Sequence, residues 1–166
     1  MYPALEIATQ FINKGIAAGK PVTPMKLQKL IYLAHGLYLA RHEKPLIQDK
    51  IQAWPYGPVI PAVYNAYKRF GNNPITKPVP TGGWVGDEYV DETAPLDRQA
   101  QDTIDFAWDS AKDFNAIQLS NWTHAQGSPW SQSVSQGMTN VSEQEPIDNE
   151  LIKEYFNEII RRDVGE

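Results

Sequence analysis

The stretch TPMKLQKLIYLAHG, Thr23–Gly36, decides how this chain folds. Thr23 offers a side-chain oxygen as an N-cap, and Pro24 suits the first helical position, where its missing N–H takes nothing from the ladder. A helix therefore starts here and runs to about His42. Over Leu30–Ala40, LIYLAHGLYLA, it is apolar on every side except at His35, and a helix apolar all round is one surrounded by protein. This second helix is predicted to be the central element. Gly36 in its middle costs about 1 kcal/mol relative to alanine, which predicts that another backbone passes close by.

On the N-terminal side, Leu5, Ala8, Ile12 and Ile16, with Ile7 and Phe11 beside them, recur at helical spacing, so a first amphipathic helix covers Ala4 to about Ala18. Gly19 and Pro21 end it. On the C-terminal side, Pro45 ends the central helix, Leu46–Trp54 allows a short extended segment, and Pro55-Tyr-Gly-Pro58 is a turn. From Pro58 a third helix is expected on the stripe Val59, Val63, Ala66, Tyr67 and Phe70, stopped at Gly71. Pro74–Pro95 carries brief β-type runs at 78–80, 84–85 and 89–90 among Pro and Gly, the pattern of a small hairpin or flap. Helical spacing returns from Leu96 to about Phe114 through Ala100, Ile104, Ala107, Trp108 and Ala111, with Asp102, Asp105, Asp109 and Asp113 on an outward acidic stripe. Asn115 caps a shorter helix through Trp122, Ser131–Gln144 reads as loop, and Asp148 caps a last helix carrying Leu151, Ile152, Tyr155, Phe156, Ile159 and Ile160. The fold class is mainly α: a single helical domain over residues 1–166 around a buried central helix, with a small β-hairpin or flap in the middle.

The chain has 166 residues and no cysteine, which excludes disulfides, thiolate metal sites and a cysteine nucleophile and favours a reducing compartment. Its first residues show no basic stretch leading into an apolar run, and no segment approaches 18 uninterrupted apolar residues. A cytoplasmic protein without a membrane span is expected. Net charge is −5, which disfavours nucleic acid as a partner, since affinity for phosphate backbones comes from Lys and Arg displacing counterions. The charge is unevenly distributed. Residues 1–70 hold nine Lys/Arg against three Asp/Glu, and residues 71–166 hold six against 17. Either the halves pack through complementary faces or one of them offers a charged surface to a partner.

Few residues suit catalysis. His35 and His42 share a helix face, but seven residues of rise separate them by roughly 10 Å, too far for one metal ion. His35 reads as a core histidine bonded to Tyr32 or a turn carbonyl, and His124 as a cap at a helix end. No Gly-x-Ser-x-Gly elbow is present. Thr81-Gly-Gly-Trp-Val-Gly86 opens no helix and runs into Asp87 and Glu88, which would repel phosphate. Asp87, Glu88, Asp91 and Glu92 read as the solvated acids of a polar flap rather than a carboxylate pair. No catalytic group, cofactor or metal is expected. Two features stand out for binding. Lys26, Gln28 and Lys29 head the central helix, where the lysines either snorkel over apolar neighbours or form a basic patch. The rigid turn Trp54, Pro55, Tyr56, Gly57 and Pro58 either plugs the core or offers a pre-organised contact.

These same runs carry a resemblance. Pro24–Gly36, Pro45-Leu46, Ile51-Gln-Ala-Trp-Pro-Tyr-Gly-Pro-Val-Ile60, Leu119-Ser120, Thr123-His124 and Pro129-Trp130 resemble the Panacea antitoxin domain, also called SocA-like or GepA-like, in order over nearly the whole chain. The resemblance implies a mainly helical domain of bacteria and their phages, encoded beside a toxin gene and neutralising that cognate protein toxin by direct binding. Some members hand the toxin to a protease. Motif residues carried over are Lys26, Leu27, Gln28, Lys29, Leu30, Tyr32, His35, Trp54, Tyr56, Gly57, Pro58, His124 and Trp130, serving either fold or partner. Partner choice is then expected in variable surface, the flap and the acidic stripe at Asp102, Asp105 and Asp109. Reversing those three charges is expected to weaken toxin binding and leave the fold intact.

Overall fold

The structure is a computed structural model that describes residues 1–91, 95–135, 146–163 and 165. Its centre is a helix, α2 (Pro24–His42), packed against α1 (Ala4–Ala17), α3 (Pro61–Tyr67), α4 (Arg98–Ala111), α5 (Ala116–Thr123) and α7 (Asn149–Asp163). The Thr23 side chain accepts the Lys26 N–H and Pro24 opens the helix, as the cap rule requires. Leu27, Leu30, Ile31 and Ala34 are fully buried, and they form one apolar cluster with Phe11 of α1, Ile104 of α4 and Phe156 of α7. The helix ends at Glu43, which adopts a left-handed φ of 54°.

Gly36 is explained by a ring rather than by the backbone its position predicts. A Cβ placed there would lie 2.5 Å from Cζ of Phe156 and closer still to Cε2 and Cδ2. The Phe156 ring is itself fixed edge-on to Tyr32 at 5.6 Å and to Trp122 at 5.9 Å. Glycine lets α7 seat its largest apolar side chain directly on the central helix.

Two hairpins interrupt the helices. The first pairs β1 (Gln52–Trp54) with β2 (Gly57–Val59), placing Ala53 opposite Pro58. Pro58 therefore lies in a strand, and α3 begins at Pro61 rather than at Pro58. A proline is tolerated in a two-stranded ribbon at a position where no ladder N–H is needed, and the helical stripe from Val63 onward begins after it. The second hairpin, β3 (Gly83–Val85) with β4 (Glu88–Val90), forms inside the expected flap. The segment leading to it is anchored at its root, where Ile75 N–H donates to Val22 O at 2.8 Å and Val79 N–H donates to the Tyr67 hydroxyl at 2.9 Å.

Asp97 caps α4 by accepting the Ala100 N–H, and Asn115 caps α5 in a reciprocal box with Gln118. A further helix, α6 (Pro129–Ser135), occupies the start of the stretch read as loop. Ser128 accepts the Ser131 N–H at 3.2 Å ahead of Pro129, the same Ser/Thr-Pro entry that starts α2. The rest of that stretch, 136–144, lies outside the described residues, as does Glu92.

The uneven charge is used inside the molecule. Lys14 of α1 pairs with Asp105 of α4, and Lys20 pairs with Asp113. Lys26 lies 5.9 Å over the Trp108 ring and donates to the Lys112 carbonyl at 2.7 Å. The basic first half and the acidic second half thus meet along the α1/α4 seam.

Candidate functional site

Most of the family-like residues converge on one place, the turn of the β1–β2 hairpin, while Tyr32 and His35 lie in the core. A ribbon of three-residue strands with Pro55 in its turn and Pro58 in its second strand has few backbone donors for its own carbonyls, and backbone carbonyls need partners. Side chains from three helices supply them. Trp130 Nε1 of α6 donates to Trp54 O at 2.6 Å, His124 Nε2 lies 3.0 Å from Pro55 O, and Ser120 Oγ of α5 donates to Tyr56 O at 3.0 Å. From the head of α2, Lys29 Nζ donates to Pro58 O at 3.2 Å. Gln28 closes the far end with both ends of its amide, Nε2 donating to Ile60 O at 3.2 Å and Oε1 accepting Ile60 N–H at 2.9 Å.

Gly57 is obligatory in this clamp. Its φ is +111°, and a Cβ there would fall 2.7 Å from Thr123 Oγ1 and 2.8 Å from Lys29 Nζ. His124 is held from both sides, its Nδ1 2.5 Å from Ser120 O and its ring 4.0 Å from that of Trp130 between centroids. Trp54 stacks edge-on against Tyr64 at 4.8 Å and donates from Nε1 to Gln52 Oε1 at 2.9 Å. What the clamp leaves outside is Tyr56, 70% exposed.

The basic-patch reading of Lys26 and Lys29 is corrected by their burial, 9% and 2% exposed. Helix α4 covers the first and the hairpin the second. Burial pushes the Lys29 amine down to about 8; the Pro58 carbonyl dipole offsets little of it, and among the described residues no acid is paired with it. Burial likewise lowers Lys26, against a smaller opposing pull from Asp113.

His35 is a packed core histidine whose partners differ from those expected. Its Nε2 lies 2.9 Å from Asn149 Oδ1, and its Nδ1 accepts the Ile47 N–H at 3.4 Å. Burial lowers its pKa, and the Asn149 bond opposes that in part. Tyr32 is stacked in the aromatic group with Phe156 and Trp122, its hydroxyl buried without a hydrogen-bond partner among the described residues and its pKa raised by burial. His35 and His124 thus engage different segments, one tying α2 to α7 and the other tying α5 to the hairpin. Among the described residues no cluster of three His, Asp or Glu could hold a metal, and no helix is long and apolar enough to cross a membrane.

The acidic stripe is placed on α4, with each named acid paired inside the chain. Asp102 lies 3.7 Å from Arg98, Asp109 lies 3.5 Å from Lys112, and Asp105 meets Lys14. Open clefts flank the central helix among the described residues. One of about 310 Å³ borders the clamp at Met25, Gln28, Tyr56 and Tyr64. Another, about 580 Å³ and largely apolar, is walled by Leu33, Ala111, Phe114, Leu119 and Trp122. Ser128 and Asn149 are site residues that sequence reasoning missed. Ser128 was accessible through its Ser-Pro cap signal, whereas nothing local marks the pairing of Asn149 with a histidine 114 positions away.

These contacts define a helical domain whose most particular polar side chains hold one hairpin in place. Residues 27–131 match the model of the antitoxin SocA-like, Panacea domain family, and the chain belongs to that family. It is 29% identical over 158 residues to antitoxin SocA of Caulobacter vibrioides (strain NA1000 / CB15N), covering 92% of this chain and 81% of that protein. No solved structure matches it. The matched region takes in the central helix from Leu27 onward, both hairpins, α4, α5 and the Trp130 contact, so the clamp lies wholly inside the family domain.

Proposed function

We propose that this chain is the antitoxin of a bacterial or phage toxin–antitoxin pair and that it neutralises a cognate protein toxin in the cytoplasm by binding it directly, without catalysis. The observation that carries this reading is the match of the whole clamp-bearing region, residues 27–131, to an antitoxin family. The side-chain geometry is consistent with it. Lys29 and His124 are committed to the hairpin turn, and His35 and Tyr32 to the core. A scaffold built this way serves recognition by its outer surface while the inner polar groups keep that surface in shape.

The test is genetic. The reading frame adjacent to this one is expressed alone and together with the chain, and growth is scored. Arrest by the neighbour alone and recovery on co-expression are expected. Arrest that persists at equal expression, or a neighbour without toxicity, contradicts the reading.

A further inference from the structure

The β3–β4 hairpin has an outer surface that the rest of the fold leaves uncovered. Trp84 is 72% exposed and Val85 66% exposed, and Tyr89 and Val90 opposite them are also open to solvent. In the register Trp84 faces Tyr89, their rings edge-on at 5.7 Å, while Val85 and Val90 lie on the other face of the ribbon. An isolated two-stranded ribbon is marginal in water, yet this one is carefully fixed. Gly86 takes the first central turn position with φ +63°, the conformation a two-residue hairpin turn asks of glycine. Gly82 allows the backbone to close on Val90 and Asp91, where a Cβ would strike the Val90 carbonyl, and its N–H donates to the Tyr89 hydroxyl at 2.7 Å. The glycines that resemble a phosphate loop in sequence thus serve a rigid display of an indole and its neighbours.

We infer that this hairpin is the toxin-contacting element, and that it docks on a basic protein surface with an apolar pocket for the Trp84 ring. The inference rests on the antitoxin reading and names the surface that reading leaves open. Charge selects the partner. Asp87 and Glu88 sit at the tip beside the exposed valine, in a segment with no Lys or Arg between Lys77 and Arg98. Such a rim repels phosphate backbones and anionic lipid and attracts a surface rich in Lys and Arg. The acids of α4, by comparison, already have Lys14, Arg98 and Lys112 as partners. A large, rigid aromatic at the centre of a polar rim is the usual form of an interface hot spot.

The experiment measures affinity for the purified product of the adjacent reading frame. Trp84→Ala is expected to weaken binding about thirtyfold or more, the range of a hot-spot truncation. The double reversal Asp87→Lys/Glu88→Lys is expected to weaken it about tenfold at low ionic strength and less at high salt. The comparison variant Asp102→Lys/Asp109→Lys is expected to stay within about threefold of the parent. Thermal unfolding of all variants should match the parent, since the altered side chains are exposed. A parent complex that the hairpin variants bind equally well overturns the inference alone. Absence of any parent complex overturns the antitoxin reading and this inference with it. Co-sedimentation of the parent with phosphatidylglycerol vesicles, lost in Trp84→Ala while toxin affinity is kept, would assign the hairpin to lipid and overturn it as well.

Discussion

Replacing Gln28 by leucine separates a residue that shapes the fold from one that touches a partner. Gln28 is 5% exposed and its amide makes two buried bonds to one residue, donating to Ile60 O and accepting Ile60 N–H. Leucine nearly preserves the volume and removes both bonds; Ile60 O keeps the Tyr64 N–H at 3.0 Å, whereas the Ile60 N–H, between β2 and α3, is left buried and unpaired. That orphaned donor costs about 1–3 kcal/mol, so the variant should lose about 1–3 kcal/mol of a total that for domains of this kind is about 5–15 kcal/mol. Urea unfolding followed by far-UV circular dichroism should show the midpoint falling with the slope unchanged, and hydrogen exchange should show faster exchange of the Ile60 amide. Gln28→Glu should also destabilise, because a carboxylate accepts from Ile60 N–H but has no hydrogen for Ile60 O and brings a charge into a buried site. A leucine variant that unfolds at the parental midpoint yet no longer binds toxin would refute the reasoning and make Gln28 a contact residue.

Gly36→Ala should lower the melting temperature despite the better helix propensity of alanine, worth about 1 kcal/mol, because the new methyl overlaps the immobile Phe156 ring at a cost of about 1–3 kcal/mol or more; adding Phe156→Leu should recover part of the loss in a double-mutant cycle. Lys29 holds its proton less tightly when folded, at about 8 against an ordinary 10.5, so the unfolded chain binds more protons between those values and stability should rise with pH from about 8 toward 10. The full difference corresponds to about 3 kcal/mol, and Lys29→Met should flatten that rise in denaturation curves taken across the window. Above it the raised tyrosines, Tyr32 foremost, act in the opposite sense. His35 has a lowered pKa in the fold, so its contribution is intact above pH 6.5 and is lost as pH falls through the folded value; unfolding midpoints at pH 7 and pH 5 should diverge in the parent and converge in His35→Leu.

The helices were legible because their signals are local. Thr23-Pro24, Asn115 with Gln118, and Asp148 are caps whose side chains do what their type and position require. Helix α6 has the same signal at Ser128-Pro129, but seven residues rich in serine hide it under a loop-like composition. The first hairpin was obscured by Pro58, which reads as a helix start until its strand partner Ala53 is seen. Burial of Lys26 and Lys29 is a tertiary property: it depends on α4 and on a turn that arrives about 30 residues later, and a lysine at a helix head carries no mark of either. Of the motif residues, Lys29, His124 and Trp130 satisfy carbonyls of the hairpin and for that reason face it, whereas Tyr56 stays outside.

The most direct measurement is calorimetric titration of the purified neighbouring toxin into the purified chain, with size-exclusion of the mixture. Saturable heat with a dissociation constant below about 1 μM and a single co-eluting species are predicted. Growth rescue in cells accompanied by no heat and separate elution would contradict neutralisation by direct binding.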